Sequence, residues 1–112
     1  MTELSAKRCL PCEGGIKPLN ATEAGEMRAK LRDEWQLIND NTAIEATFKF
    51  KNYFRTLAFV NALAYIAIQE DHHPDISFTF NTCTIKYWTH AINGLSENDF
   101  ICAAKADALL GD

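Results

Sequence analysis

Nothing in the sequence supplies a secretory leader, a membrane span or a basic face, and each absence removes a class of function. The opening residues carry Glu3, Lys7 and Arg8 and hold no apolar core, so no signal peptide is expected. The longest apolar stretch, 53–68, is slightly short for a bilayer and contains Arg55 and Asn61, so it reads as a buried helix. Lys and Arg number 11 against 15 Asp and Glu, for a formal net charge of −4. The basic residues are scattered, so neither nucleic acid nor an anionic membrane surface is an expected partner. Four cysteines without secretory features are expected as reduced thiols, which points to the cytoplasm. A chain of 112 residues can bury one core but not two.

Several motifs of catalysis are missing as well. Cys9-Leu10-Pro11-Cys12 is a CxxC, but no second CxxC or Cys/His pair stands at zinc-ribbon spacing. It is half of a metal site or a redox pair at most. Cys83 and Cys102 fall inside an expected strand and helix, where a thiol acts as a small hydrophobe. The histidines show neither HxxxH nor HxH spacing, so no metal site is expected. Ser77, Ser96, Cys83 and Cys102 lack a nucleophile elbow such as GxSxG, which argues against covalent catalysis.

The segments that remain read in order. Residues 1–19, punctuated by Pro11, Gly14, Gly15 and Pro18, form an expected flexible arm; residues 20–112 form a single domain. Asn20 to Glu23 is a capping box, and a helix is expected to about Arg32, with Ala24, Met27 and Leu31 as its stripe. Residues 35–38 read as a short strand and Asn39-Asp40-Asn41 as its turn, built from residues that tolerate left-handed backbone. Ile44, Ala46, Phe48 and Phe50 alternate with Glu45, Thr47, Lys49 and Lys51, which makes a strand with one wet face. Asn52 caps a helix over 53–71 that Pro74 forbids from continuing. Its apolar residues cover most of its circumference, so a sheet on one side leaves a face for another helix or another subunit. Strands follow at 76–80 and 83–89, and Ser96 to Asp99 opens a last helix as a capping-box variant, a role that suffices to explain Asp99. The order α-β-β-α-β-β-α predicts an α+β fold, two layers with a four-stranded antiparallel sheet and helices on one face.

All the histidines lie close together in sequence. His72 and His73 are adjacent within Glu70-Asp71-His72-His73-Pro74-Asp75, and His90 follows one hairpin later. Imidazole has the side-chain pKa nearest neutrality and suits proton transfer. Helix-end histidines are also favourable for bland reasons, since a cation there complements the dipole. A hairpin returning from Asp75 could carry His90 back beside it and close a cleft. Strand parity opposes this, because His90 shares the Lys86 and Trp88 face unless the strand has already ended.

Asp71-His72-His73-Pro74, Thr89-His90 and Gly94-Leu95-Ser96-Glu97-Asn98-Asp99 together resemble the pterin-4a-carbinolamine dehydratases, over roughly 20–110. The resemblance implies a hydro-lyase of tetrahydrobiopterin regeneration. A 4a-hydroxytetrahydropterin would lose water to give the quinonoid dihydropterin, with no cofactor and no metal. It implies His72, His73 and His90 as catalytic residues, His72 and His90 as the acid/base pair and His73 orienting the pterin. It implies Asp71, His72, His73, Trp88, Thr89, His90 and Ala91 as pterin contacts. The chain departs from the family at Trp88, where many members have Ser, at Ala91, where some have Glu, and at Asn98, where some have Arg. A homo-oligomer, dimer or tetramer, is also implied. Some animal members bind a homeodomain transcription factor as a dimerisation cofactor, so a non-catalytic interaction module is the alternative reading.

Overall fold

A computed structural model describes residues 4–10 and 16–111. Three helices, α1 (Ala21–Arg28), α2 (Tyr53–Glu70) and α3 (Glu97–Leu110), accompany four strands, β1 (Gln36–Ile38), β2 (Ala43–Lys49), β3 (Asp75–Phe78) and β4 (Thr82–Tyr87). Short 3-10 turns at Leu4–Ala6 and His90–Ile92 complete the described elements. The strands form one antiparallel sheet in the order β1-β2-β4-β3, and the fold is α+β.

The sheet is built on period-two patterning. Ile44 pairs with Tyr87, Ala46 with Ile85 and Phe48 with Cys83, and all six are buried. Between them, Thr47 and Thr84 share a hydrogen bond of 2.8 Å on the wet face. Phe59 and Leu63 of α2 and Phe100, Ile101, Ala103 and Ala106 of α3 join the apolar core. Trp35 is fully buried, its ring edge-on to Phe48 at 5.9 Å. The turn between β1 and β2 uses left-handed backbone at Asn39, Asp40 and Asn41 (φ 52°, 59° and 66°), which short amide and acid side chains accept.

Local capping sets the helix starts. Asn20 Oδ1 accepts from the Glu23 N–H at 2.8 Å while Glu23 Oε1 accepts from the Asn20 N–H at 2.9 Å, a complete capping box. Asn52 Oδ1 accepts from the Arg55 N–H at 2.9 Å and starts α2.

Several boundaries differ from the sequence expectation. Helix α1 ends at Arg28 rather than near Arg32, because the Arg32 N–H donates to Asp107 Oδ2 at 2.9 Å. That long-range bond, with Trp35 Nε1 donating to Asp107 Oδ1 at 2.8 Å, draws the segment out of helical register. Strand β3 ends at Phe78 rather than Phe80, since the Thr79 N–H already turns back onto the Thr82 carbonyl at 2.9 Å. Strand β4 ends at Tyr87 rather than Thr89, and His90 enters a 3-10 turn. Helix α2 ends at Glu70, with Asp71 as a left-handed cap. The arm also differs in part: residues 4–10 pack on α3, where Leu4 joins the core and Lys105 Nζ donates to the Ser5 carbonyl at 2.7 Å. Cys12, half of the CxxC, lies outside the described residues.

Candidate active site

The end of α2 sorts its two histidines. Asp71 adopts left-handed backbone (φ 52°), and the N–H groups of Asp71 and His72 both close on the Ala67 carbonyl. This turn breaks helical periodicity, so His72 is buried and His73 is exposed. Pro74 then starts the extended run into β3.

His90 arrives by a second turn. Beyond β4, Thr89 and Gly94 bridge each other, with the Thr89 N–H donating to the Gly94 carbonyl at 2.8 Å. Gly94 is required here by space: a Cβ would stand 2.8 Å from Pro18 Cβ. Because the strand has ended, the parity objection to His90 disappears. The hairpin itself does not set His90 beside Asp75, whose partner in the register is Lys86.

His72, His73 and His90 all border one cavity of about 460 Å³. Asp71, Trp88, Thr89 and Ala91 border it too, as do Cys9, Leu10 and Glu70, which sequence reasoning did not assign to the histidine cleft. The Trp88 and His90 rings lie 4.3 Å apart, and Lys86 Nζ sits 4.9 Å from the Trp88 ring centre. Trp88 thus packs on His90 with its own side chain. Thr89 borders the cavity, but its hydroxyl points to Asp99 and is not free for a ligand.

Asp99 is the residue that sequence reasoning missed. Its capping role is real, since Oδ2 accepts from the Ser96 N–H at 3.0 Å. The same carboxylate, fully buried, also takes Thr89 Oγ1 at 2.8 Å on Oδ2 and His72 Nε2 at 2.6 Å on Oδ1. An ionised carboxylate only accepts, so the pairing with Asp99 favours the His72 tautomer that carries its proton on Nε2. The Ser96 hydroxyl supports the set, 2.7 Å from Thr89 Oγ1. The His72 ring also lies parallel to Tyr87, 4° apart with centres at 6.0 Å. No sequence signal joins Asp99 to a histidine 27 residues away; only the docking of α3 against the end of α2 does.

Three acidic groups near the cavity have ionisation shifted by their surroundings. Burial pushes the Glu70 carboxyl up, but the Cys9 N–H, Lys105 and Arg8 outweigh it and hold the group below its ordinary value. The Cys102 thiol is pushed up by its contact with Cys9, 3.4 Å away, and by burial. Burial also raises the Tyr87 phenol, whose hydroxyl has no hydrogen-bond partner among the described residues. No set of three or more His, Cys, Asp or Glu among the described residues is arranged to hold a metal ion.

The sequence model of the family "Pterin 4 alpha carbinolamine dehydratase" matches residues 17–109. The chain belongs to this family. A relative from Nitrosomonas eutropha named "Putative pterin-4-alpha-carbinolamine dehydratase" is 54% identical over 108 residues, covering 96% of this chain and 94% of the relative. One of the same name from Legionella pneumophila strain Corby is 47% identical over 111 residues, covering 99% and 98%. Among solved structures, a transcriptional coactivator/pterin dehydratase from Brucella melitensis superposes with a TM-score of 0.80 at 33% identity, over 85% of this chain and all of the other. A pterin dehydratase-like protein described as a RuBisCO assembly factor in the alpha-carboxysome superposes at 0.64 and 28% identity, over 72% and 94%. Pterin dehydratase relatives therefore include proteins described by roles other than catalysis. No helix among the described residues is long and apolar enough to cross a membrane.

Proposed function

We propose that the chain is a hydro-lyase that dehydrates a 4a-hydroxytetrahydropterin to the quinonoid dihydropterin, as a step of tetrahydrobiopterin regeneration in the cytoplasm. The observation that carries this reading is the meeting of three imidazoles at one cavity, one of them tied to a buried carboxylate. The reaction needs two proton transfers. An acid protonates the C4a hydroxyl, and the C–O bond breaks with its electron pair leaving in water. A base takes the ring-nitrogen proton as the nitrogen lone pair closes the C4a–N double bond. No electron is gained or lost overall, so the proposed step calls for no redox cofactor.

His72 and His90 are the acid/base pair, His73 orients the pterin, and Asp71 and Trp88 to Ala91 border the bound ring. His72 offers Nδ1 from a ring fixed by Asp99, and such preorganisation removes the need to reorient during the reaction. General acid and base catalysis each contribute about 10²–10⁴-fold. The test is turnover of chemically generated 4a-hydroxytetrahydropterin. His72→Ala and His90→Ala are expected to lower kcat by about 10²–10⁴-fold while circular dichroism stays that of wild type. Wild-type turnover in either variant would remove that residue from the mechanism.

A second reading, a helix-presenting interaction module, draws on apolar surface. Phe54, Tyr65 and Ile68 on the outer side of α2 are 80%, 60% and 73% exposed in the single chain. A homo-oligomer covering that face is part of the proposal, and the same surface would serve a protein partner. Absent turnover in wild type, with partner binding retained in a triple histidine variant, would favour this reading.

A further inference from the structure

We propose that Cys9 and Leu10 form a wall of the pterin site, and that Asn98 is the positioning residue that holds them there. The inference rests on the dehydratase reading and extends it to a segment outside the histidine motifs. Both residues border the histidine cavity. Leu10 is 71% exposed, an apolar side chain left uncovered at the rim. Folding alone gains little from holding it there, whereas a flat heterocycle in the cavity would cover it.

The hold on this segment is specific. The Leu10 N–H donates to Asn98 Oδ1 at 3.0 Å, and Asn98 Nδ2 donates to the Leu10 carbonyl at 2.7 Å. Both ends of one buried amide therefore grip the backbone of one residue, which fixes its orientation as a strand pairing would. One residue earlier, the Cys9 N–H donates to Glu70 Oε1 at 2.8 Å, and Arg8 Nε lies 2.9 Å from Glu70 Oε2. Glu70 closes α2 immediately before the left-handed turn that carries His72. Asn98 stands on α3 immediately before Asp99. The two elements that fix His72 thus each supply one further side chain that fixes the arm.

The consequence is a binding effect without a proton-transfer effect. Turnover of 4a-hydroxytetrahydropterin is measured for wild type, Leu10→Ala, Asn98→Ala and the double variant. Each single change is expected to raise KM about tenfold, with kcat within about twofold and an unaltered pH profile, since one apolar contact is lost and the histidines are untouched. The double variant is expected to show less than the product of the two single effects, because Asn98 acts in part through Leu10. Leu10→Ala keeps the test sharp should Asn98→Ala fold poorly, as its side chain packs into no core. KM values within twofold of wild type in both singles overturn the wall, as does multiplication of their effects in the double. Absent turnover in wild type is a different result: it overturns the dehydratase reading itself, and the wall with it.

Discussion

Three hydrogen bonds converge on the Asp99 carboxylate, and no neutral side chain of that shape can accept all of them. His72 Nε2, Thr89 Oγ1 and the Ser96 N–H all donate to it. Asparagine has one acceptor oxygen, and its amide N–H₂ must then face either His72 or both Thr89 and the Ser96 N–H. Facing His72, it would force the ring to accept at Nε2 and to carry its proton on Nδ1, the nitrogen proposed to exchange a proton with the pterin. Asp99→Asn is therefore expected to lower kcat by about 10²–10⁴-fold, with a stability loss of about 1–3 kcal/mol from the broken network. Nitrogen-15 chemical shifts of the His72 ring would report the tautomer directly. A variant with wild-type kcat and an unmoved ring spectrum would reduce Asp99 to a helix cap. The histidines themselves were legible, because clustering along the chain survives folding when the linking hairpin is short. Asp99 was not, since a Ser-x-x-Asp spacing is already explained by capping and sequence carries no sign of a second duty.

Elements read well from the chain wherever one local rule governed them. The alternation in β2, the Asn20 and Asn52 caps and the stop at Pro74 are such cases. They read poorly where a distant group intervened. Asp107 on α3 takes the Arg32 amide and shortens α1, and the arm expected to be loose is gripped in part by α2 and α3. Glu70 makes that grip dependent on pH. Its folded value is lowered from 4.5, so its contribution is fully present above pH 4.5 and is lost as the pH falls through its own, lower value. Arg8 and the Cys9 N–H then face a neutral acid. Amide hydrogen exchange is expected to show protection of Cys9 at neutral pH and loss of that protection in acid before the core amides of β2 and β4 open. Glu70→Gln should remove the acid dependence and leave Cys9 weakly protected throughout. Equal protection at neutral and acid pH in wild type would mean that Asn98 alone seats the arm.

At the scale of the whole molecule, the apolar face of α2 and the histidine cavity are built from different residues. Helix α2 buries Thr56, Phe59, Leu63 and Ala67 against its own chain and leaves Phe54, Tyr65 and Ile68 uncovered. A second patch lies at the β3 edge, where Tyr53 stacks on Phe80 at 6.3 Å and stands 6.4 Å from Phe78. The α2 face and the β3 edge each offer apolar surface to a second copy, with the symmetry such a contact imposes. All three histidines nevertheless border one cavity within a single chain. Association and chemistry should therefore separate. Sedimentation velocity is expected to give a dimer or tetramer for wild type and a smaller species for Ile68→Glu, because association would bury a carboxylate there without compensation. The dissociated variant is expected to keep kcat for 4a-hydroxytetrahydropterin within a few-fold of wild type, since none of the proposed proton-transfer groups sits on the α2 outer face. A monomeric wild type would leave the apolar face to a different protein. A folded but inactive Ile68→Glu would mean that a neighbouring copy reaches into the cavity and completes it.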